Sequence, residues 1–308
     1  MRDFHQIDWQ TYIRRLNGAY APATIKSYYT DMRTLVDWCV RHDLNWDALS
    51  PESVCDFLEH EAERGMCHGT VVRRVYSARR VFTLAGVSDP TNSPEVELCL
   101  RRIARARPTR PKQARGLSLA TLHKFLDVQP DTPWGLRNRA LLSLGYDLLA
   151  RRSEITALRG EDVSWRRDGT LEVMLRRSKA DQFGRGRIAF TSSRSACLLG
   201  DWLEWRGGEI APLFCAIYRG VAINRPLSGS TVKNIIKSSA RAAGYDQWVV
   251  NNFSAHSLRV GAAQELLRQG HDSIAIMRAG GWRTSTVLAR YLEKAEHNVW
   301  TKIAPARA

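Results

Sequence analysis

Three stretches of the chain place arginine, histidine and tyrosine at spacings that suit an anion and a nucleophile. In LLARRSEITALRGEDV, residues 148–163, Arg151, Arg152 and Glu154 fall where one apolar helix ends and another begins. In AHSLRVGAAQELL, residues 255–267, His256 and Arg259 stand three apart at a helix start. Residues so spaced share a helix face, and a helix N-terminus attracts negative charge. In AGGWRTSTVLARYLEK, residues 279–294, Trp282 is followed nine residues later by Tyr291. Guanidinium groups bind phosphate oxygens as planar forks of donors. A tyrosine, with an ordinary pKa of about 10, attacks only with help from its neighbours. Each residue also has a plainer reading. Most of the 9 tyrosines must be structural. Trp282 can serve as core, Glu154 as a surface helix residue, and Arg152 competes with Arg151.

The bulk properties point to the same kind of partner. There are 46 Lys and Arg against 31 Asp and Glu in 308 residues, a formal net charge of +15. That balance favours a polyanion, nucleic acid before anionic membrane. The start, Met1–Gln10, is polar, and no apolar run reaches the ~18 residues needed to cross a bilayer. A cytoplasmic, nucleoid-associated protein with no membrane partner is expected. Six cysteines lie without any C-x-x-C pair, which suits a reducing compartment. Cys55, His60, Cys67 and His68 are close in sequence but match no standard zinc spacing. No P-loop, no Gly-rich nucleotide fingerprint and no acidic cluster with metal spacing is present, so neither a metal nor a cofactor is expected.

The elements that must position these residues can be read from periodicity. Residues 1–18 read as a loosely held arm. Apolar residues at three- and four-residue steps predict helices over Thr24–Arg41, Ala48–Arg64, Thr70–Leu84 and Pro94–Arg107, a small bundle spanning 19–107. Pro51 after Ser50, with Gly65 beyond the end, follows the capping rules. Residues 101–116 hold seven Lys or Arg and no acid, with Pro108 and Pro111 stopping the helix; the basic stretch 108–116 reads as a linker. From Leu117 the pattern predicts helices over Ser118–Val128, Leu136–Leu149, Ala196–Trp205, Ser230–Ala243, Ser257–Gln269, Ser273–Ala279 and Thr284–Lys294. Two strands, Thr170–Arg177 and Arg187–Thr191, flank a glycine-containing turn, a hairpin. The second domain, 117–294, is mainly helical with one small antiparallel sheet. Residues 295–308 form a tail.

With these residues in view, the chain resembles the tyrosine recombinase (phage integrase) family. Arg151 three residues before Glu154, the hairpin Lys179, His256-Ser257-Leu258-Arg259, Gly280-Gly281-Trp282 and Tyr291 follow the family pattern in order. The strings HS-x-RVGAA and AGGW, and PESVCDFL at Pro51–Leu58, are similar to its Cre-type branch, so the resemblance covers nearly the whole chain. It implies a two-domain, C-shaped DNA clamp that cuts and rejoins strands through a 3′-phosphotyrosine intermediate and a Holliday junction. It implies that Tyr291 is the nucleophile and that Arg151, Arg259 and His256 bind the phosphate. Lys179 would protonate the leaving 5′ oxygen, Trp282 would donate to the phosphate, and Glu154 would hold the network. The family more often has histidine where Trp282 stands, which leaves its direct role open.

The resemblance also implies how DNA is read. Thr24, Lys26, Ser27 and Arg33 on one helix, and Arg73, Arg74, Ser77 and Arg80 on another, would face the major groove, with plain solvated faces as the alternative. The arginine density of 101–116 favours contact of Arg102 and Arg105 with the DNA backbone, a linker basic only for solubility being the alternative; by resemblance Ser230, Thr231 and Lys233 would begin a base-reading helix. The partner would be double-stranded DNA with an inverted-repeat site, bound by a homotetramer on two DNA sites. The tail would dock on a neighbouring subunit; folding back on its own domain is the other course. A type IB topoisomerase-like monomer shares this chemistry, and a DNA-binding protein without activity shares the fold; both stay open at this level.

Overall fold

The computed structural model describes residues 8–106, 113–176 and 186–295. The chain forms two units that divide near residue 111, each with its own apolar core.

The first unit is all helical: α1 Trp9–Arg14, α2 Pro22–Arg41, α3 Pro51–Glu63, α4 His68–Ala85 and α5 Pro94–Ala106. Its core is built on Met32, Leu35, Phe57, Val71, Phe82 and Cys99. Ser50 caps α3 by accepting from the Ser53 amide at 3.2 Å, and Gly65 follows in the left-handed region at φ +84°. For residues 8–18 the reading of a loose arm is corrected; residues 1–7 lie outside the described residues. Trp9 and Ile13 of α1 are buried in this core and Leu16 is buried just beyond the helix, because an apolar pair four residues apart makes a one-sided helix that must bury that side.

The second unit contains α6 Leu119–Asp127, α7 Pro133–Asp147, α8 Arg152–Ala157, β1 Val163–Trp165, β2 Leu171–Leu175, β3 Arg187–Phe190 and α9 Ser193–Arg206. After these come β4 Cys215–Tyr218, β5 Val221–Pro226, α10 Gly229–Ala242, α11 Gln247–Asn252, α12 Ser257–Arg268, α13 Ser273–Gly280 and α14 Ser285–Leu292. α7 is its axis: Leu141, Leu142, Ser143 and Leu144 are all buried, with α6, α9 and α12 packed around. β1, β2 and β3 form an antiparallel sheet in that order, with Leu171, Val173 and Leu175 inward and Met174 outward. A second antiparallel sheet, β4 with β5, corrects the expectation of one. Its strands carry little apolar alternation, since β5 is half-buried at most, so periodicity alone does not reveal it. Residues 113–116, read as linker, pack on this unit. The Arg115 amide donates to Asn252 O at 3.0 Å, and Gln113 Nε2 donates to Arg290 O at 2.6 Å. No helix among the described residues is long and apolar enough to cross a membrane.

Candidate active site

α7 ends in a tight turn whose Leu149 adopts φ +46°, a region that costs an L-residue on the order of 1–3 kcal/mol. That turn delivers Arg151 to the N-cap of α8. Glu154 then closes on it from both sides. Oε1 accepts from Arg151 Nη1 at 2.7 Å and Oε2 from the Arg151 amide at 2.9 Å. The Glu154 side chain is fully buried, so the carboxylate orients Arg151 rather than meeting solvent. Arg152 points elsewhere and is exposed; it lies against the first turn of α10, where a β-carbon on Gly229 would come within 2.6 Å of its Nε. The spacing to Glu154 thus separates the two arginines.

Arg259, one turn into α12, is wholly buried. Its Nη1 donates to Leu149 O, holding the same turn from the other side. Its guanidinium lies 3.9 Å from the centre of a Trp282 ring and 5.4 Å from that of Tyr291. Burial, and then repulsion from Arg151, push its pKa down to about 10; it remains a cation at neutral pH. The Tyr291 residue, half-buried on α14, packs its ring edge-on to Trp282 with centroids 4.9 Å apart, and the His256 ring centroid stands 6.3 Å away. The backbone of Tyr291 is pinned, its carbonyl accepting from Gln264 Nε2 at 3.0 Å. His256 precedes α12, where partial burial and then Arg259, Arg151 and Arg152 lower its pKa.

Two glycines make room for this packing. A β-carbon on Gly280 would stand 1.9 Å from a Trp282 ring carbon. Gly281 closes α13 at φ +65°.

Arg151, Glu154, His256, Arg259, Trp282 and Tyr291 therefore come together, while Lys179 lies outside the described residues. The buried donors at this place are more telling than the charges. Nε and Nη2 of Arg259 and Nε1 of Trp282 have no acceptor at bonding geometry among the described residues; of the two side chains, it is the Arg259 guanidinium that interacts with the Tyr291 phenol. Leaving buried donors unmet costs roughly 1–3 kcal/mol each. A cluster of such donors beside a phenol is preorganised for an oxyanion.

Arg187 was not anticipated as part of the site; it served only as the start of a strand. Its guanidinium is buried beside Glu154, 3.7 Å from Oε2. No local signal marks it, because its partners come from three distant segments. By contrast Arg176 of the hairpin forms ion pairs with Glu161, at 3.0 Å, and Asp162, a structural role.

The DNA-reading candidates divide. Lys26, Arg33, Arg105, Ser230 and Lys233 are exposed. Arg102 is exposed too, 3.7 Å from Glu59. Ser27 is half-buried and donates to Ala23 O at 3.0 Å, and Arg80 stacks on Tyr20 at 5.5 Å. Thr24 and Thr231 are half-buried; the Thr231 amide donates to Ser228 Oγ at 3.1 Å, capping α10. Ser77 and Arg74 are corrected: they turn inward. Ser77 is fully buried and donates to Asp31 Oδ2 at 2.7 Å. Arg74, its side chain 11% exposed, pairs with buried Glu61, with Asp31 Oδ1 at 3.9 Å. Arg73, though exposed, also pairs with Asp31. Two carboxylates inside the bundle require cationic and hydroxyl partners, and these residues supply them.

Comparisons with known proteins agree with this geometry. The model of the "Phage integrase family" matches residues 116–298, and that of the "Phage integrase, N-terminal SAM-like domain" matches residues 8–85. The chain is 29% identical to an integrase/recombinase XerD homolog of Selenomonas ruminantium over 91% of its own length and 84% of the relative's. It is 26% identical to the recombinase Cre of Escherichia phage P1, over 90% and 86%. Among solved structures, XerH bound to a palindromic difH substrate aligns with a TM-score of 0.64 at 17% identity, over 88% of this chain and 76% of that one. The Tn1549 transposon integrase in complex with transposon right end DNA gives 0.64 at 14% identity, over 95% of each. The matched catalytic segment contains the whole cluster around Tyr291, and the chain belongs to the phage integrase family of tyrosine recombinases, enzymes that cleave and rejoin DNA.

Proposed function

We propose that the protein is a site-specific recombinase in which the Tyr291 Oη attacks a DNA backbone phosphorus. The P–O5′ bond breaks, and a 3′-phosphotyrosine bond takes its place. The phenol proton passes to His256 or to water, and Lys179 gives a proton to the departing 5′ oxygen. Arg151 and Arg259 hold the non-bridging oxygens, Trp282 Nε1 donates to one of them, and Glu154 keeps Arg151 in place. Attack by a 5′ hydroxyl from a second duplex reverses the step and leads through a Holliday junction. One phosphodiester replaces another at each stage, so the bond energy is retained and ATP is not consumed. The positive charge that a metal would bring is supplied by the guanidiniums. The observation that carries the reading is the set of buried donors without acceptors at the Tyr291 ring.

Two duplexes and four nucleophiles call for a homotetramer on two inverted-repeat sites, clamped by both units, in the cytoplasm and on the nucleoid. The tail from residue 295 would dock on a neighbouring subunit; its described part ends at Ala295 and the rest lies outside the described residues. A cavity of about 300 Å³ in the second unit is lined by apolar residues, Leu119, Leu149, Phe190 and Leu266, and by charged ones, Asp147, Arg194 and Glu265; we propose it as the place where the tail docks. Lys26, Ser27, Arg33, Arg73, Arg80, Arg102, Arg105, Ser230, Thr231 and Lys233 remain the proposed DNA contacts.

The test begins with selection of bound sites from random DNA. Incubation with the selected site should give a protein–DNA adduct that survives denaturant, and Tyr291→Phe should abolish it while binding persists. An adduct retained by Tyr291→Phe would remove Tyr291 from its role. Relaxed plasmid without recombinant products would favour a topoisomerase.

A further inference from the structure

Arg187 opens β3, far in sequence from the residues around Tyr291, yet its side chain is only 15% exposed and touches three of the segments that hold them. Nη2 donates to Leu148 O at 2.8 Å and stands 3.7 Å from Glu154 Oε2. Nη1 donates to Ala279 O at 2.6 Å, one residue before the glycine pair that precedes Trp282. The stem lies against that pair: a β-carbon on Gly281 would come within 2.8 Å of Arg187 Cδ. One planar group thus joins the α7–α8 turn, the carboxylate that orients Arg151, and the turn that carries Trp282.

The α7–α8 turn shows why such a link matters. Its two successive carbonyls are each held by an arginine, Leu148 O by Arg187 and Leu149 O by Arg259. Leu149 sits between them in the left-handed region. Backbone in that region persists only where its surroundings fix it. If the turn relaxes, Arg151 moves with it. Glu154 is moreover shared between two guanidiniums, Arg151 at 2.7 Å and Arg187 at 3.7 Å, so the second cation also sets where the carboxylate rests.

We propose that Arg187 is a positioning residue for strand cleavage: it places Arg151 through Glu154 and the Leu148 carbonyl, and Trp282 through the Ala279 carbonyl, without itself touching the phosphate. This rests on the reading of Tyr291 as nucleophile. A purely structural arginine would satisfy the same carbonyls, and its loss would weaken the fold and nothing more. Lysine keeps the charge but cannot span both carbonyls with one fork.

The experiment uses the full chain and DNA carrying the selected site, with Arg187→Gln, Arg187→Lys, Glu154→Gln and the Arg187→Gln/Glu154→Gln pair. Thermal midpoint, DNA affinity and rate of adduct formation are measured for each. Displacing a reacting group by about 1 Å can slow a reaction roughly 100-fold, so Arg187→Gln should slow adduct formation by about that factor, with affinity changed by less than about 3-fold. Arg187→Lys should recover part of the loss, to about 10-fold below the parent. The paired variant should lose clearly less than the product of the two single losses, since both changes act on Arg151 while Arg187 also acts on Trp282. A parental rate in Arg187→Gln, losses that multiply in the pair, or a loss that merely tracks affinity or midpoint would overturn the proposal. Should Arg187→Gln not fold, a folded Arg187→Lys that cleaves at the parental rate overturns it equally. Absence of adduct in the parent enzyme would mark failure of the Tyr291 reading, a different result from a normal parent with a normal Arg187 variant.

Discussion

His256 sits where losing a proton is easy and gaining one is hard. Partial burial, and then the cations Arg259, Arg151 and Arg152, hold its pKa below the ordinary 6.5. At neutral pH the imidazole is therefore neutral and able to accept a proton from Tyr291. Cleavage should fall in acid with a midpoint below 6.5. Removing one cation favours the imidazolium, so Arg152→Ala should move that midpoint upward; Arg152 is exposed and turned toward α10, so the shift is not confounded by loss of a phosphate ligand. A rate–pH profile of adduct formation checks this, and an unmoved or lowered midpoint counts against it. Below 6.5 the unfolded chain takes up this proton more readily than the folded one, so the group weakens the fold as pH falls and is neutral to it above. The residues themselves were legible in the sequence because Arg151, Glu154, His256, Arg259, Trp282 and Tyr291 each stand in a local register. Arg187 was not, because the partners described for its side chain, Leu148, Glu154 and Ala279, lie on segments distant in sequence.

At the scale of elements, close approach of backbones decides what each position tolerates. α12 lies so near the segment before α6 that a β-carbon on Gly261 would stand 1.9 Å from Leu117 O. Backbone cannot yield there as a side chain would, so Gly261→Ala should destabilise the second unit by on the order of 3 kcal/mol, read from chemical unfolding. In the first unit, α2, α3 and α4 are joined by Asp31, Glu61, Arg73, Arg74 and Ser77. Removing one member of a buried ion pair leaves the other uncompensated, at a cost of about 3–5 kcal/mol. Arg74→Ala should therefore lower stability, while the affinity of the folded fraction for DNA stays near that of the parent; a loss of affinity at unchanged stability would restore the DNA-facing role. Helix periodicity located α2 through α5 and most helices of the second unit. The DNA-facing placement of Arg74 and Ser77, implied by the resemblance, fails because these polar residues meet buried carboxylates inside the bundle. The pattern of hydrophobic residues does not register such a polar interior.

The whole molecule carries a formal charge of +15, and its DNA affinity should be dominated by phosphate contacts. If roughly 6–10 phosphates are neutralised, binding should weaken by about 10³–10⁵ between 50 and 200 mM salt. A titration in which affinity barely changes over that range would mean that few of the arginines face DNA. Two separate cores, one built from Trp9 to Ile103 and the other from Leu117 to Leu288, match the division that the proline-bearing basic stretch suggested. The order of residue types along the chain determined the helical class and the two-unit division, and it pointed to the proposed reacting groups, since helix caps, apolar periods and family spacing are local properties. Tertiary structure alone decided that Arg187 reaches Glu154, that Arg74 and Ser77 turn inward, that β4 and β5 pair, and that buried donors gather without acceptors at one phenol. Those are matters of which distant segments meet, and the energy that selects them is burial of charge and backbone against neighbours that no short window of sequence contains.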